Sequence, residues 1–479
     1  MKIAFLNPQG NFDPEDSFLT EHPDFGGQLV YVKELCLALA RSGESADILT
    51  RRILDADWPG FSQEEDRYHG YPDNPRIIRI PFGGGNFLRK EELWDHLEEF
   101  ADKIAAFYGK EKPRFVTAHY ADGGYAAVLL KQRHGLPFSF TAHSLGAHKL
   151  EKLSAAADFA ELDRQYRFSR RIAAERSAMR HAGRIICSTE QERREQYSHP
   201  LYEGALGKDD SDKFEIVPPG INTRIFNRTE DTEDHRLQNV IFQKLTGCPR
   251  RSIILSSRLD EKKNHLSVVK AYAAAEKLSK AADLGIFLRG IEDPRKEAET
   301  LPSSERKVLT AILDLVDKNG LRNKVFFLNL RSQRELAAAY KYYARFASVF
   351  ALSSYYEPFG LAPIEAAACG LAPAVTKNGG PAEVFPEDTA ALFDPEDIQD
   401  IAKKLQQALE NARSISEAAV RKVCSRFTWE RTAEGYLNTA RKVLSERGSA
   451  DFTGTPVCDE QTEKQRILHY LRKKGGDRE

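Results

Sequence analysis

A chain of 479 residues is too long for one ordinary hydrophobic core, so two or three domains are predicted. Lys and Arg total 70 against 71 Asp and Glu, which excludes a nucleic-acid partner held by a bulk basic field but leaves room for a local cationic pocket. Apolar residues make up 41% of the chain, yet no run of about eighteen of them occurs, so no membrane span is expected. The opening stretch MKIAFLNPQG reads as a short strand entering a turn, without the longer apolar core of a signal peptide. Cys36, Cys187, Cys248, Cys369, Cys424 and Cys458 are scattered and form no CxxC pair. They read as reduced thiols, and the expected compartment is the cytoplasm.

Strands alternate with amphipathic helices through the first half. KIAFLN (2–7) is a strand, and 29–43 has helical spacing ending on Gly43. Strands follow at 45–52 and 76–82, then a helix near 90–109. Strands at 113–120, 137–144, 183–189 and 214–222 complete the series, with a helix over 123–135. Residues 223–250 are polar and without strong periodicity, and read as an interdomain connection. A second series begins at 251–259, with a helix at 266–278 and strands at 284–290, 324–329, 347–354 and 371–376. This alternation predicts two doubly wound domains with parallel sheets, 1–228 and 229–429, facing one another across an active-site cleft. The tail holds a helix near 429–447 and an amphipathic piece at 465–474, and about 430–479 is expected to pack back on the first domain.

Ligands of open α/β sheets bind beyond the carboxyl ends of the strands. Four segments there carry chemistry. DFGGQLVYVKEL (24–35) places glycines before a helix, which suits either an anion at the helix N-terminus or a plain turn. SSRLDEKKNH (256–265) follows an apolar strand and holds Arg258, Lys262 and Lys263. It is either a charged solvated loop or a clamp for a diphosphate leaving group. TAHSLGAHKLEKL (141–153) sets His143 just past a strand, where it is either structural or a donor to a sugar hydroxyl. YYEPFGLAPIEAAACG (355–370) puts Glu357 at a strand end and Glu365 in the first turns of a helix, with Pro363 near its first position. Further along, Arg167, Arg170 and Arg171 share about one face of a helix.

Together these segments resemble the retaining glycosyltransferases of the GT-B fold, within them the sucrose-phosphate synthase family. The similarity runs over nearly the whole chain through FGGQLVYVKEL, AHYADGG, TAHSLGAHKLEKL, RRIAAER, PPGINTRIF, SSRLDEKKNH and YEPFGLAPIEAAACGLAPAVTKNGGPAE. The last two are the superfamily's Arg–Lys donor-phosphate motif and its pair of glutamates with seven residues between them. The resemblance implies a UDP-glucose donor. Glu365 would bind the ribose and Glu357 would lie by the transferred glucose. Arg258 and Lys263 would hold the diphosphate, helped by the backbone at Gly27, Phe359, Gly360 and Leu361, and the base would sit by 328–333. His143 would contact the glucose. Fructose 6-phosphate would meet Gly26, Gln28, Lys90, Tyr120, His143, Ser144, Lys149, Arg170 and Arg171.

A sugar phosphate carries about two negative charges and needs several cations at one spot. Lys90, Lys149 and the Arg170–Arg171 pair supply them, which favours fructose 6-phosphate over free fructose and thus argues against a sucrose synthase. The remaining alternatives are a mannosylfructose-phosphate synthase using GDP-mannose and a sugar-phosphate-binding protein without catalysis. No DxD pair occurs in a loop suited to a metal-bound diphosphate, so no metal site and no required cofactor are expected; Mg2+ is compatible but not implied. The expected partners are small molecules, with no nucleic acid and no membrane, and oligomeric state is left open.

Overall fold

The computed structural model describes residues 1–15, 27–71, 73–154, 158–207, 210–243, 250–446 and 459–476. The chain divides into two units, one formed by Met1–Pro218 with Trp429–Glu479 and the other by Pro219–Thr428. The division falls at Pro218, before the expected 228. The reason is local: Ile221 donates its N–H to Phe427 O at 3.0 Å, and Phe226 joins the second unit's core.

The first unit holds β1 (Lys2–Leu6), β2 (Ser45–Arg51), β3 (Glu65–Arg67), β4 (Arg76–Ile80), β5 (Phe115–His119), β6 (Phe138–Thr141), β7 (Arg184–Cys187) and β8 (Phe214–Ile216). Their order across the sheet is β3-β4-β2-β1-β5-β6-β7-β8, parallel except for β3 on β4. β5, β6 and β7 are buried at every position, as a sheet covered on both faces requires. β3 carries only Glu, Asp and Arg and was not foreseen. A charged edge strand has no apolar alternation to read.

The second unit holds β9 (Ser252–Ser256), β10 (Asp283–Leu288), β11 (Val325–Asn329), β12 (Val349–Leu352), β13 (Ala372–Thr376) and β14 (Ala391–Phe393). All pair in parallel, in the order β11-β10-β9-β12-β13-β14. The stretch 223–250 is more than a connection, because Thr232–Phe242 is a helix opened by a capping box between Asp231 and Asp234. It packs on helix Gln333–Ala344, where buried Asp234 accepts from Lys341 Nζ at 2.7 Å. Leu237, Ile241 and Phe242 also pack on the second unit's core, but the buried charge at Asp234 interrupts the hydrophobic periodicity that would have shown the helix.

Helix Trp429–Ser445 packs against helix Gly27–Arg41 in the first unit, and Trp429, Tyr436 and Val443 join its core. A Cβ on Gly183 would lie 2.6 Å from a Val443 methyl, so glycine permits this approach. Helix Glu460–Gly476 packs on helix Phe168–His181 through buried Ile467 and an Arg176–Glu463 ion pair of 3.3 Å. Lys474 and Tyr470 both donate to Glu151. Burial alone would raise this carboxyl, but those two bonds bring it down from 4.5 to about 2. A depressed folded value stabilises above the unfolded value and is lost as pH falls through the folded one. The stability advantage of the wild type over Glu151→Gln, measured in urea, is therefore expected to be full at pH 6 and to shrink steadily below about pH 4.5.

Candidate active site

In the second unit the strand order reverses between β9 and β12, so their outgoing loops flank a switch point. After β9 a short turn, Glu261–Lys263, is capped by Asp260, whose side chain accepts from Lys262 N at 2.9 Å. Asn264 then takes a left-handed φ of 53° and donates its side-chain amide to Pro395 O at 2.8 Å. Ser353, at the end of β12, shares its hydroxyl between Lys263 O and Asn264 O, each at 3.0 Å. These bonds fix the root of Lys263. Its ammonium donates to Glu357 Oε2 at 2.6 Å, and Ser354 Oγ donates to the same oxygen at 3.0 Å. Arg258 is exposed and has no side-chain partner among the described residues.

Glu357 is placed by its backbone. Its carbonyl accepts from Gly380 N at 2.9 Å, and it bridges to Gly379. A Cβ on Gly379 would sit 2.1 Å from Glu357 O, at a φ of +95°. Gly379→Ala is expected to destabilise by at least about 3 kcal/mol in urea titration, through steric overlap plus strain. Gly360, with φ 93°, precedes helix Leu361–Ala368, so Pro363 occupies its third position and not its first. Proline is tolerated there because the first turn's N–H groups lack helical partners in any case. Phe359 is buried against Phe427, with ring centroids 5.9 Å apart, and this anchors the loop. Glu365 is half-buried and its carboxyl has no partner among the described residues. Burial pushes it up to about 8. Such a carboxyl is suited to paired hydroxyls. In the stretch 328–333, Leu328 and Leu330 are buried, and Arg331 pairs with Glu292 at 2.7 Å.

In the first unit the order reverses between β1 and β5. Gly26, with the rest of 16–26, lies outside the described residues. Gly27 opens helix Gly27–Arg41, and Gln28 is buried with its side-chain nitrogen unpartnered. Tyr120 and His143, just past β5 and β6, both take left-handed φ values, 62° and 56°. Arg171 Nη2 donates to Ser144 O at 2.9 Å and to Ser144 Oγ at 3.2 Å, and the Ser144 hydroxyl bonds the Tyr120 phenol. Arg171 Nε donates to Glu175 Oε1 at 2.9 Å. Glu175 is fully buried and also accepts from Gly146 N and Tyr202 OH. Asp122 is buried, and burial pushes it up to about 6 against the fields of Arg171 and Lys90. Those fields put both Arg171 and Lys90 within electrostatic reach of Asp122. Lys90 also lines a shallow recess with Pro8, Gly10 and Arg51.

The other two expected cations are engaged differently. Arg170 forms an ion pair with Asp95, and Lys149 lies 4.2 Å from the Tyr166 ring centroid. Adjacent arginines on a helix point about 100° apart, so one cluster rarely takes both.

His143 is half-buried, and burial pushes it down to about 3, so it is neutral at pH 7. Its ring meets Tyr31 edge-on at 4.9 Å, and its Nε2 lies 2.8 Å from His119 Nδ1. His119, Asp122, Glu175 and Ser354 were not singled out in the sequence. The available signals were a second His in AHYADGG and a Glu four residues after Arg171. Among the described residues, His148, Glu151 and His199 could present ligand atoms within 4.8 Å of one another, but Lys474 already supplies a cation to Glu151.

Two parallel α/β units with charged loops at the carboxyl ends of their strands are the construction of the GT-B glycosyltransferases. Residues 240–422 match the family described as glycosyl transferases group 1, and 26–198 match the glycosyl transferase 4-like domain. A probable sucrose-phosphate synthase of Thermosipho melanesiensis is 44% identical over 445 residues, covering 92% of this chain and 97% of the relative. The chain belongs to the sucrose-phosphate synthase family. The solved sucrose-phosphate synthase from Thermosynechococcus elongatus shares the fold with TM-score 0.67 and 24% identity, over 93% of this chain and 99% of its own. The Anabaena protein HepE in complex with UDP and glucose does so with TM-score 0.60 and 15% identity, over 92% of this chain and all of its own. The chain spans about half the length of the plant relatives it matches, 47% for that of Citrus unshiu. Among the described residues no helix is long and apolar enough to cross a membrane.

Proposed function

We propose that the protein transfers glucose from UDP-glucose to fructose 6-phosphate, giving sucrose 6-phosphate and UDP with retention at the anomeric carbon. The observation that carries this reading is Arg171 bound to Ser144, with the field of Lys90 also reaching the neighbouring buried Asp122, a cationic setting suited to a sugar phosphate. In the step, the bond from glucose C1 to the diphosphate oxygen breaks. A bond from C1 to the fructose C2 oxygen forms, and the hydroxyl proton passes to the leaving phosphate. Arg258 and Lys263 neutralise the charge growing on that phosphate. Diphosphate takes Lys263, and this releases Glu357 toward the glucose hydroxyls. Glu365 holds the ribose diol, and the backbone of Phe359, Gly360 and Leu361 meets the donor. On the acceptor side Gln28 and Ser144 hold sugar hydroxyls, with Lys149 beside them. No metal is required in this scheme, and the cytoplasm, where both substrates occur, is the compartment.

A panel of UDP-, ADP- and GDP-linked sugars, each offered with fructose and fructose 6-phosphate, tests the reading. Sucrose 6-phosphate and UDP are expected as products. Turnover only with GDP-mannose, or only with free fructose, would overturn it, and so would binding of both substrates without release of UDP.

A further inference from the structure

Behind His143 runs a line of two buried side chains, His119 and Thr117. Thr117 and His119 lie in β5 with exposures of 1% and 0%. Thr117 Oγ1 is 2.8 Å from His119 Nε2, and His119 Nδ1 is 2.8 Å from His143 Nε2. The rings stack at 5.0 Å and 22°. His119 is gripped on its other sides by Phe5 at 5.8 Å and Tyr436 at 6.4 Å, so it cannot turn away.

Burial holds both imidazoles neutral at pH 7. Each therefore carries one proton, and one proton lies between them. Two arrangements satisfy that count. In the first, Thr117 O–H donates to His119 Nε2, and His119 Nδ1–H donates to His143 Nε2. In the second, His143 Nε2–H donates to His119 Nδ1, and His119 Nε2–H donates to Thr117 Oγ1. The second leaves the Thr117 O–H as a buried donor with no other partner among the described residues. Buried donors are rarely left unpaired, so the first arrangement prevails. The proton of His143 then sits on Nδ1, which has no partner of its own among the described residues.

We propose that Thr117 and His119 are positioning residues that lock His143 into the Nδ1–H tautomer, making it a fixed hydrogen-bond donor to the sugar at the reaction centre and not a base. This rests on the glucosyl-transfer reading above. The left-handed backbone at His143 agrees with it: φ 56° at a non-glycine residue is tolerated where surroundings over-determine the geometry. Bonds to the far nitrogen of an imidazole fix its tautomer in many metal and catalytic sites.

The test begins with the wild-type protein. It is labelled with 15N-histidine, its His143 signals are assigned by loss in His143→Gln, and the two ring nitrogens are read at pH 7. A protonated Nδ1 and a bare Nε2 are expected. A protonated Nε2 on His143 would overturn the proposal with no appeal to kinetics. Kinetics then separate a role in fixing the tautomer from one in folding. Asn at 119 keeps an N–H near the Nδ1 position, whereas Leu fills the space without one. His119→Leu is expected to lower kcat at least tenfold with KM for fructose 6-phosphate within threefold. His119→Asn should recover most of that loss, and Thr117→Val should shift His143 toward mixed tautomers. Equal loss in the Asn and Leu variants would reject the proposal. If the wild type shows the Nδ1–H tautomer but makes no sucrose phosphate, the proposed reaction fails while the locked tautomer stands.

Discussion

Lys263→Ala is expected to lower kcat by about 10²–10³-fold, in line with loss of one preorganised donor aimed at developing charge. KM for fructose 6-phosphate should stay within threefold, because Lys263 belongs to Pro219–Thr428, the unit proposed to hold the donor. Steady-state rates with both substrates varied give the separation. The ammonium is held from two directions, by the Ser353 bonds to its backbone and by Glu357 at its tip. Removing it leaves Glu357 with Ser354 as its side-chain partner. Lys263→Arg should recover little, since a planar fork cannot occupy the point position of an ammonium beside one oxygen. An effect confined to acceptor KM would contradict the assignment.

Arg171→Ala is expected to raise KM for fructose 6-phosphate by about 10²-fold, the size of losing one charge-assisted pair, with donor KM unchanged. It should also destabilise the protein. Glu175 is fully buried, and losing its cation leaves a carboxylate with only Gly146 N–H and Tyr202 OH. The usual penalty for breaking a buried pair, about 3–5 kcal/mol, is an upper bound here because those two donors remain. The double variant Arg171→Ala with Glu175→Gln should regain stability but not affinity. Calorimetric melting and acceptor titration distinguish the two effects. Equal losses of donor and acceptor affinity would remove Arg171 from the acceptor site.

Much of the fold was legible because parallel strands buried on both faces, such as FVTAH and APAVT, read as short apolar runs between helices. What was hidden has a common cause. β3 is all charged, and helix Thr232–Phe242 opens on a charged, capped turn and buries Asp234 and Gln238 beside Ile241, which masks its hydrophobic period. At the site, spacing placed Glu357 and Glu365 in different local frames, and the structure puts one at a bridge to Gly379 and the other inside a helix. Spacing could not show that Lys263 and Glu357 meet, since that contact joins residues 94 apart. Nor could it divide Arg170 from Arg171, because their partners Asp95 and Glu175 lie on different sides of one helix.

The chain leaves its first unit at Pro218 and re-enters it at Trp429. During synthesis the ribosome therefore delivers the whole second unit before helix Trp429–Ser445 exists. Until then the first sheet lacks Trp429, Tyr436 and Val443 from its core. Tyr436 is the piece that matters most for chemistry. Its hydroxyl bonds Thr141 at 2.8 Å and Tyr31 at 3.0 Å, and its ring stacks on His119. Helix Trp429–Ser445, made after the strands of both units, thus completes the aromatic surroundings of His119, which backs His143. A nascent chain stalled between Glu365 and Trp429 holds every side chain proposed to touch substrate, yet lacks Tyr436 behind His119. The full surroundings of His119 therefore exist only once synthesis has passed Tyr436.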